Sequence, residues 1–159
     1  MGGRWFASLP PELRLAIVAA STVRTFEPGE ALIRQGELPR GLCGVLEGRA
    51  QIARVLENGR EVLLHVGGPG MWFGDWSVIS GRPALYTTSA VTRCRALVLP
   101  LAAFRRLVDE QPRWYEEFNR YLLANMESFY VAFAAQVGLT AGSATGWRCS
   151  PPPSAATRA

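Results

Sequence analysis

The residues of this chain best placed to do chemistry lie in one stretch, Pro69-Gly70-Met71-Trp72-Phe73-Gly74-Asp75-Trp76-Ser77-Val78-Ile79-Ser80-Gly81-Arg82-Pro83. It reads as the end of a strand, a Gly-rich turn, a short helix starting at Gly74 or Asp75, and a loop leading to another strand. Free backbone N–H groups at such a helix start can hold an anion. Gly74 lets a ligand come close to the backbone, and the Asp75 carboxylate can accept hydrogen bonds from a ligand hydroxyl. Arg82 follows as a cation. Read alone, the same pattern is also that of an ordinary turn.

Other chemistries lack their residues. Cys43, Cys94 and Cys149 are far apart, with no CxxC pair. With the single His65 they make a poor zinc or iron–sulfur set. One histidine leaves no His-based triad or hydrolytic metal site, and no nucleophile–base arrangement occurs, so the chain is not expected to be an enzyme. His65 lies in the apolar run Val62-Leu63-Leu64-His65-Val66 and is expected on a strand face. Scattered thiols of odd number suit a reducing cytoplasm.

The elements that must hold this stretch follow from pattern. The chain of 159 residues has 48% hydrophobic and 19% charged residues, the composition of a globular chain and not of one disordered throughout. A net charge of +4 is weak evidence for a nucleic-acid surface. No apolar run spans a bilayer, and the start carries no secretory h-region. A first helix is expected from Ser8 as cap through Pro10, Pro11 and Glu12, with Leu13, Leu15, Ile17 and Val18 as its apolar face. Strands are expected at 23–26, 31–34, 42–46, 50–55, 61–66, 85–91 and 96–99, separated by Gly-bearing turns. Asn58-Gly59 is a strong hairpin signal. Many short strands at such spacing indicate an antiparallel sandwich, jelly roll or small barrel.

Helical spacing returns after Pro100 with Leu101, Phe104, Leu107 and Val108. Pro112 then opens a long helix to about residue 138. Leu122, Met126, Phe129, Phe133 and Val137 fall on one stripe of it, which Trp114, Phe118 and Tyr121 extend. A helix of about 40 Å is too long to dock only on a small barrel. Phe118, Leu122, Met126, Phe129, Phe133 and Val137 are therefore expected to form a homodimer interface, packing within the same domain being the other reading.

In order, the motifs Pro28-Gly29-Glu30, Gln35-Gly36-Glu37, Val45-Leu46-Glu47-Gly48, Gly59-Arg60-Glu61, Pro69-Gly70 and Phe73-Gly74-Asp75, then a last strand and a long helix, resemble the cyclic-nucleotide-binding domain of the CRP/FNR family of bacterial transcription regulators. The resemblance covers residues 9–140. It implies a mainly β fold, a double-stranded β-helix (jelly roll) with an N-terminal helix and a long C-terminal dimerisation helix. The implied domains are a β-roll at 1–111, the dimer helix at 112–138, and a tail at 139–159 where the family carries a helix-turn-helix. It also implies that ligand phosphate sits in the cassette matching residues 73–90.

Carried over residue by residue, Gly74 matches the family's ligand-facing Gly, and Asp75 stands where the family has Glu for the ribose 2′-hydroxyl. The phosphate-binding Arg belongs at position 84 and a Ser or Thr at 85, but the chain has Ala84 and Leu85. Phe73, Gly74, Asp75, Trp76, Ser77, Arg82, Ala84, Leu85 and Thr87 are the candidate ligand-binding residues. A charge-assisted Arg–phosphate contact contributes about 1.5–3 kcal/mol per hydrogen bond. The expected effector is thus a cyclic nucleotide or other small anion, and not cAMP.

The tail after Thr140 resembles no DNA-reading module and is expected to be disordered. It fits either a stand-alone sensor or a shifted reading frame or truncated gene, so DNA is a partner only if an intact parent carries the helix-turn-helix. The expectation is the sensor domain of a cytoplasmic regulator, off the membrane. The alternative is a stand-alone dimerisation or protein-interaction module with a vestigial pocket.

Overall fold

The computed structural model describes residues 3–141, of which 3, 4, 132 and 136–141 are described by their backbone alone. The chain divides into two compact units, Met1–Leu123 and Ala124–Ala159. The expected tail beyond residue 141 lies outside the described residues.

The first unit is a jelly roll of two four-stranded antiparallel sheets. One has the order β1 (Thr22–Phe26), β8 (Cys94–Pro100), β3 (Gly41–Glu47), β6 (Trp72–Phe73). The other has β2 (Ala31–Ile33), β7 (Thr87–Ala90), β4 (Ala50–Val55), β5 (Glu61–Gly67). Strand alternation builds two cores, because successive side chains point to opposite faces. On β8, Ala96 joins Phe26, Val45, Ala50, Ile52 and Phe73 inside the roll, while Leu97 and Leu99 join the helical layer. On β6, Trp72 and Phe73 divide the same way.

Five helices occur among the described residues: α1 (Gly3–Ser8), α2 (Pro11–Ala19), α3 (Asp75–Ser80), α4 (Leu101–Glu110) and α5 (Trp114–Ala141). The helical layer holds Leu9, Leu13 and Ile17 with Phe104, Leu107, Trp114, Phe118 and Tyr121. Its seam is aromatic. Trp5 lies 4.4 Å from Tyr121 between ring centroids, Phe6 stacks on Trp72 at 5.3 Å, and Phe104 meets Phe118 edge-on at 4.8 Å. The Trp5 indole also donates to the Glu117 carbonyl at 3.1 Å.

Several expectations are corrected. Ser8 does not cap α2; its hydroxyl donates to the Trp5 carbonyl and closes α1, a helix the sequence reading missed. Proline at N1 starts α2 without a side-chain cap. Leu15 (71% exposed) and Val18 face outward, since at 100° per residue only Leu13 and Ile17 share the buried stripe. The strand expected at 85–91 shortens to Thr87–Ala90, and just before it Ala84 pairs its backbone with Gly36 N–H (2.8 Å) and the Glu37 carbonyl (2.9 Å). The Asn58-Gly59 hairpin forms as expected. Leu56 N–H donates to the Arg60 carbonyl, and Asn58 Oδ1 accepts from Arg60 N–H.

Phe118, expected at a dimer interface, is instead buried to 2% exposure in the helical layer. Its neighbours Phe104 and Trp5 supply the apolar surface that a second copy was expected to bring. Leu122 and Met126 are half-buried, and Phe129 and Phe133 are exposed. The side chain of Val137 lies outside the described residues.

Candidate functional site

Gly74 ends β6 at φ +94°, a left-handed conformation that only glycine adopts without strain. A Cβ there would lie 2.7 Å from the Gly41 carbonyl oxygen and 3.2 Å from Ile33 Cδ1. The turn therefore presses backbone against backbone, and α3 begins directly after it. Val78 N–H closes the first turn on the Gly74 carbonyl at 2.9 Å.

Three side chains around this helix start, where an anion cradle is expected, turn into the protein. Phe73, Asp75 and Ser77 are all buried at 5% exposure or less. Asp75 faces inward, where its negative charge acts on Tyr86. Burial foremost, then Asp75, then Tyr121 hold the Tyr86 phenol well above its ordinary pKa. The carboxylate expected to meet a ligand hydroxyl is engaged by the protein. Behind it, the Tyr121 hydroxyl donates to the Trp72 carbonyl (2.9 Å) and accepts from Trp72 N–H (3.2 Å), fastening β6 to α5.

The opening lies on the other side of α3. A cavity of about 300 Å³ is lined by Trp76, Arg82, Pro83, Ala84 and Leu85, with Gln35, Gly36 and Arg54 opposite. Four expected residues, Trp76, Arg82, Ala84 and Leu85, thus meet at one cavity. Phe73, Gly74, Asp75, Ser77 and Thr87 are not among its lining residues. Thr87 spends its hydroxyl on Gln35 N–H at 3.1 Å. Arg82 reaches the cavity from the loop after α3, two residues before Ala84.

Arg54 is the residue that sequence reading missed. The signal was strand alternation: Ala50 and Ile52 occupy the roll interior, and Arg54 is the next residue on that face. Gln35 fixes this strand end. Its amide donates to the Val55 carbonyl (3.0 Å) and accepts from Val55 N–H (2.9 Å). A second depression of about 730 Å³ adjoins it, lined by Gln35, Arg54, Val55, Leu56, Glu57 and Asn58. Among the described residues no group of three His, Cys, Asp or Glu side chains is placed to hold a metal.

The jelly roll carries a Gly-anchored short helix beside a cavity, an arrangement suited to holding a small ligand. Residues 23–111 match the cyclic nucleotide-binding domain family, and the chain belongs to that family, with a domain of the CRP/FNR type. It is 34% identical over 118 residues to a cyclic nucleotide-gated potassium channel of Mesorhizobium japonicum, covering 74% of this chain and 31% of the channel. It is 26% identical over 117 residues to the CRP-like cAMP-activated global transcriptional regulator of Mycobacterium tuberculosis, covering 74% of this chain and 52% of the regulator. The chain spans about a third to a half of the length of these relatives. Its fold is that of the catabolite activator protein of Thermus thermophilus (TM-score 0.71, 23% identity, 84% of this chain and 62% of that one). No helix among the described residues is long and apolar enough to cross a membrane.

Proposed function

We propose that this chain is the effector-sensing domain of a CRP/FNR-type regulator whose pocket takes a small anion other than cAMP. The observation that carries this reading is the cavity itself. Ala84 and Leu85 line it where the family places its phosphate-binding cation and hydroxyl, while Arg82 and Arg54 bring cations to the same space. An apolar pair cannot replace the hydrogen bonds of a bound cyclic phosphate, so the residues present do not fit that group in its family position. Relatives that include a channel and a cAMP-activated regulator show that one domain type serves several outputs.

The domain is proposed to act without catalysis, in the cytoplasm, as a homodimer. Phe129, Tyr130 and Phe133 on the second unit are exposed aromatics that a second copy would cover. Ligand in the roll would then bias the pairing of these helices, a two-state element. Any contact with DNA would pass through a helix-turn-helix on an intact parent protein.

The experiment is sedimentation velocity combined with calorimetric titration of the same sample against cAMP, cGMP and a panel of small anions. A dimer that binds a panel anion saturably, and cAMP only weaker than about 100 µM, is the expected result. cAMP binding in the micromolar range or tighter overturns the reading. A dimer that binds nothing in the panel replaces the sensor with a dimerisation module.

A further inference from the structure

The cavity beside α3 is lined by two arginines from distant parts of the chain and by no carboxylate. Arg54 arrives on the inward-facing row of β4, where that row leaves the apolar interior. Arg82 arrives from the loop after α3. Neither forms an ion pair among the described residues, whereas five other arginines do: Arg40, Arg93, Arg95, Arg113 and Arg120. The Glu57 carboxylate lies on the adjoining depression and is not paired with Arg54. The indole N–H of Trp76, which lines the same cavity, is buried without an acceptor. The wall therefore brings two cationic residues and no carboxylate to an otherwise largely apolar lining.

Resting on the sensing role just proposed, we infer that the effector is a small dianion, with Arg54 and Arg82 each taking one of its negative charges. Guanidinium stays protonated at any working pH. In the free protein both groups are exposed and hydrated. A ligand filling the cavity strips water from both. A cyclic phosphodiester brings a single negative charge and leaves one guanidinium desolvated and unpaired, a costly arrangement. Two negative charges compensate both groups and can accept forked hydrogen bonds from each. A dicarboxylate and a phosphomonoester share this chemistry. Gln35, pinned to Val55, keeps the strand end carrying Arg54 in place.

The test is calorimetric titration of the full chain at neutral pH with succinate, with 5′-AMP and with cAMP. The two nucleotides share base and sugar and differ in phosphate charge. The expected result is that succinate or 5′-AMP binds at least roughly tenfold tighter than cAMP, and that R54Q and R82Q each weaken this binding roughly tenfold or more. Which probe binds assigns the dicarboxylate or the phosphomonoester as the source of the charges. Both arginines are exposed, and melting curves of the variants show whether each still folds. Dianions that bind no tighter than cAMP, or binding that R54Q leaves unchanged, overturn the two-charge inference. A panel anion of single charge that binds independently of Arg54 does so too, yet leaves the sensing role standing. Absence of binding by every probe and panel anion overturns both.

Discussion

The first half of the segment between β6 and β7 is built into the protein, whereas the second half opens onto a cavity. From Phe73 to Ser77 the side chains Phe73, Asp75 and Ser77 are buried, and Gly74 touches the Gly41 backbone. From Arg82 to Leu85 the chain forms no ladder, and Arg82, Pro83, Ala84 and Leu85 all line the cavity. The two halves sit within a dozen residues and obey different constraints. In the first, Phe73, Asp75 and Ser77 are packed inside and only Trp76 reaches the cavity, so most substitutions must be absorbed by the fold. In the second, the backbone of Ala84 is held by Gly36 and Glu37, and the side chains are free to differ at little cost to stability. Recognition can therefore change while the fold persists. Ala84 and Leu85, at the positions where the resemblance leads one to expect a cation and a hydroxyl, stand beside an intact roll.

The sharpest way to break this comparison is Gly74→Ala. The added Cβ meets a carbonyl oxygen 2.7 Å away, in a left-handed backbone conformation. Strain and overpacking together should cost about 3 kcal/mol in a urea unfolding experiment. A loss below roughly 1 kcal/mol would show that the turn is soft and the first half is not fixed. Tyr121→Phe comes next. It removes the hydroxyl that serves both the N–H and the carbonyl of buried Trp72, leaving both backbone groups unpaired. About 2 kcal/mol should be lost, read as a lower melting temperature. An unchanged melting curve would mean that β6 does not depend on α5 for its position.

The turns and the segment around Gly74 were readable because glycine and asparagine mark them chemically. The Asn58-Gly59 hairpin and the start of α3 at Asp75 stand where expected. β6 was not readable, since two residues carry no period. Trp5 and Phe6 were unreadable as a helix for a related reason: α1 is six residues long, and its stability comes from Trp72 and Tyr121, far along the chain. Phe118 shows the limit of helical spacing. Its stripe with Leu122, Met126, Phe129 and Phe133 is real, but period alone does not say whether the facing surface belongs to the same domain. At the site, attention to the Gly-rich turn found Arg82 and Ala84, while Arg54 lay on a strand row that begins with the core residues Ala50 and Ile52.

The smallest expected effect bears on the open half. Ala84→Arg with Leu85→Ser places a guanidinium and a hydroxyl at the two family positions, on a backbone already held by Gly36 and Glu37. Leu85 is 40% exposed, so its replacement removes little buried area. Ala84 is buried at its Cβ but lines the cavity, which gives a longer side chain a direction to grow. The double variant should bind cAMP at least tenfold tighter than the wild type, about 1.4 kcal/mol, by calorimetry. Its stability should change little, because neither position supplies much of the core. If affinity rises while unfolding stays the same, the two halves are separable, and the loss of the family cation is a change in recognition alone. If the variant unfolds instead, Ala84 belongs to the frame, and the boundary between frame and recognition surface moves to Arg82. If it folds and affinity does not rise, the engaged Asp75 is what excludes the cyclic nucleotide, and the first half decides the ligand as well as the fold.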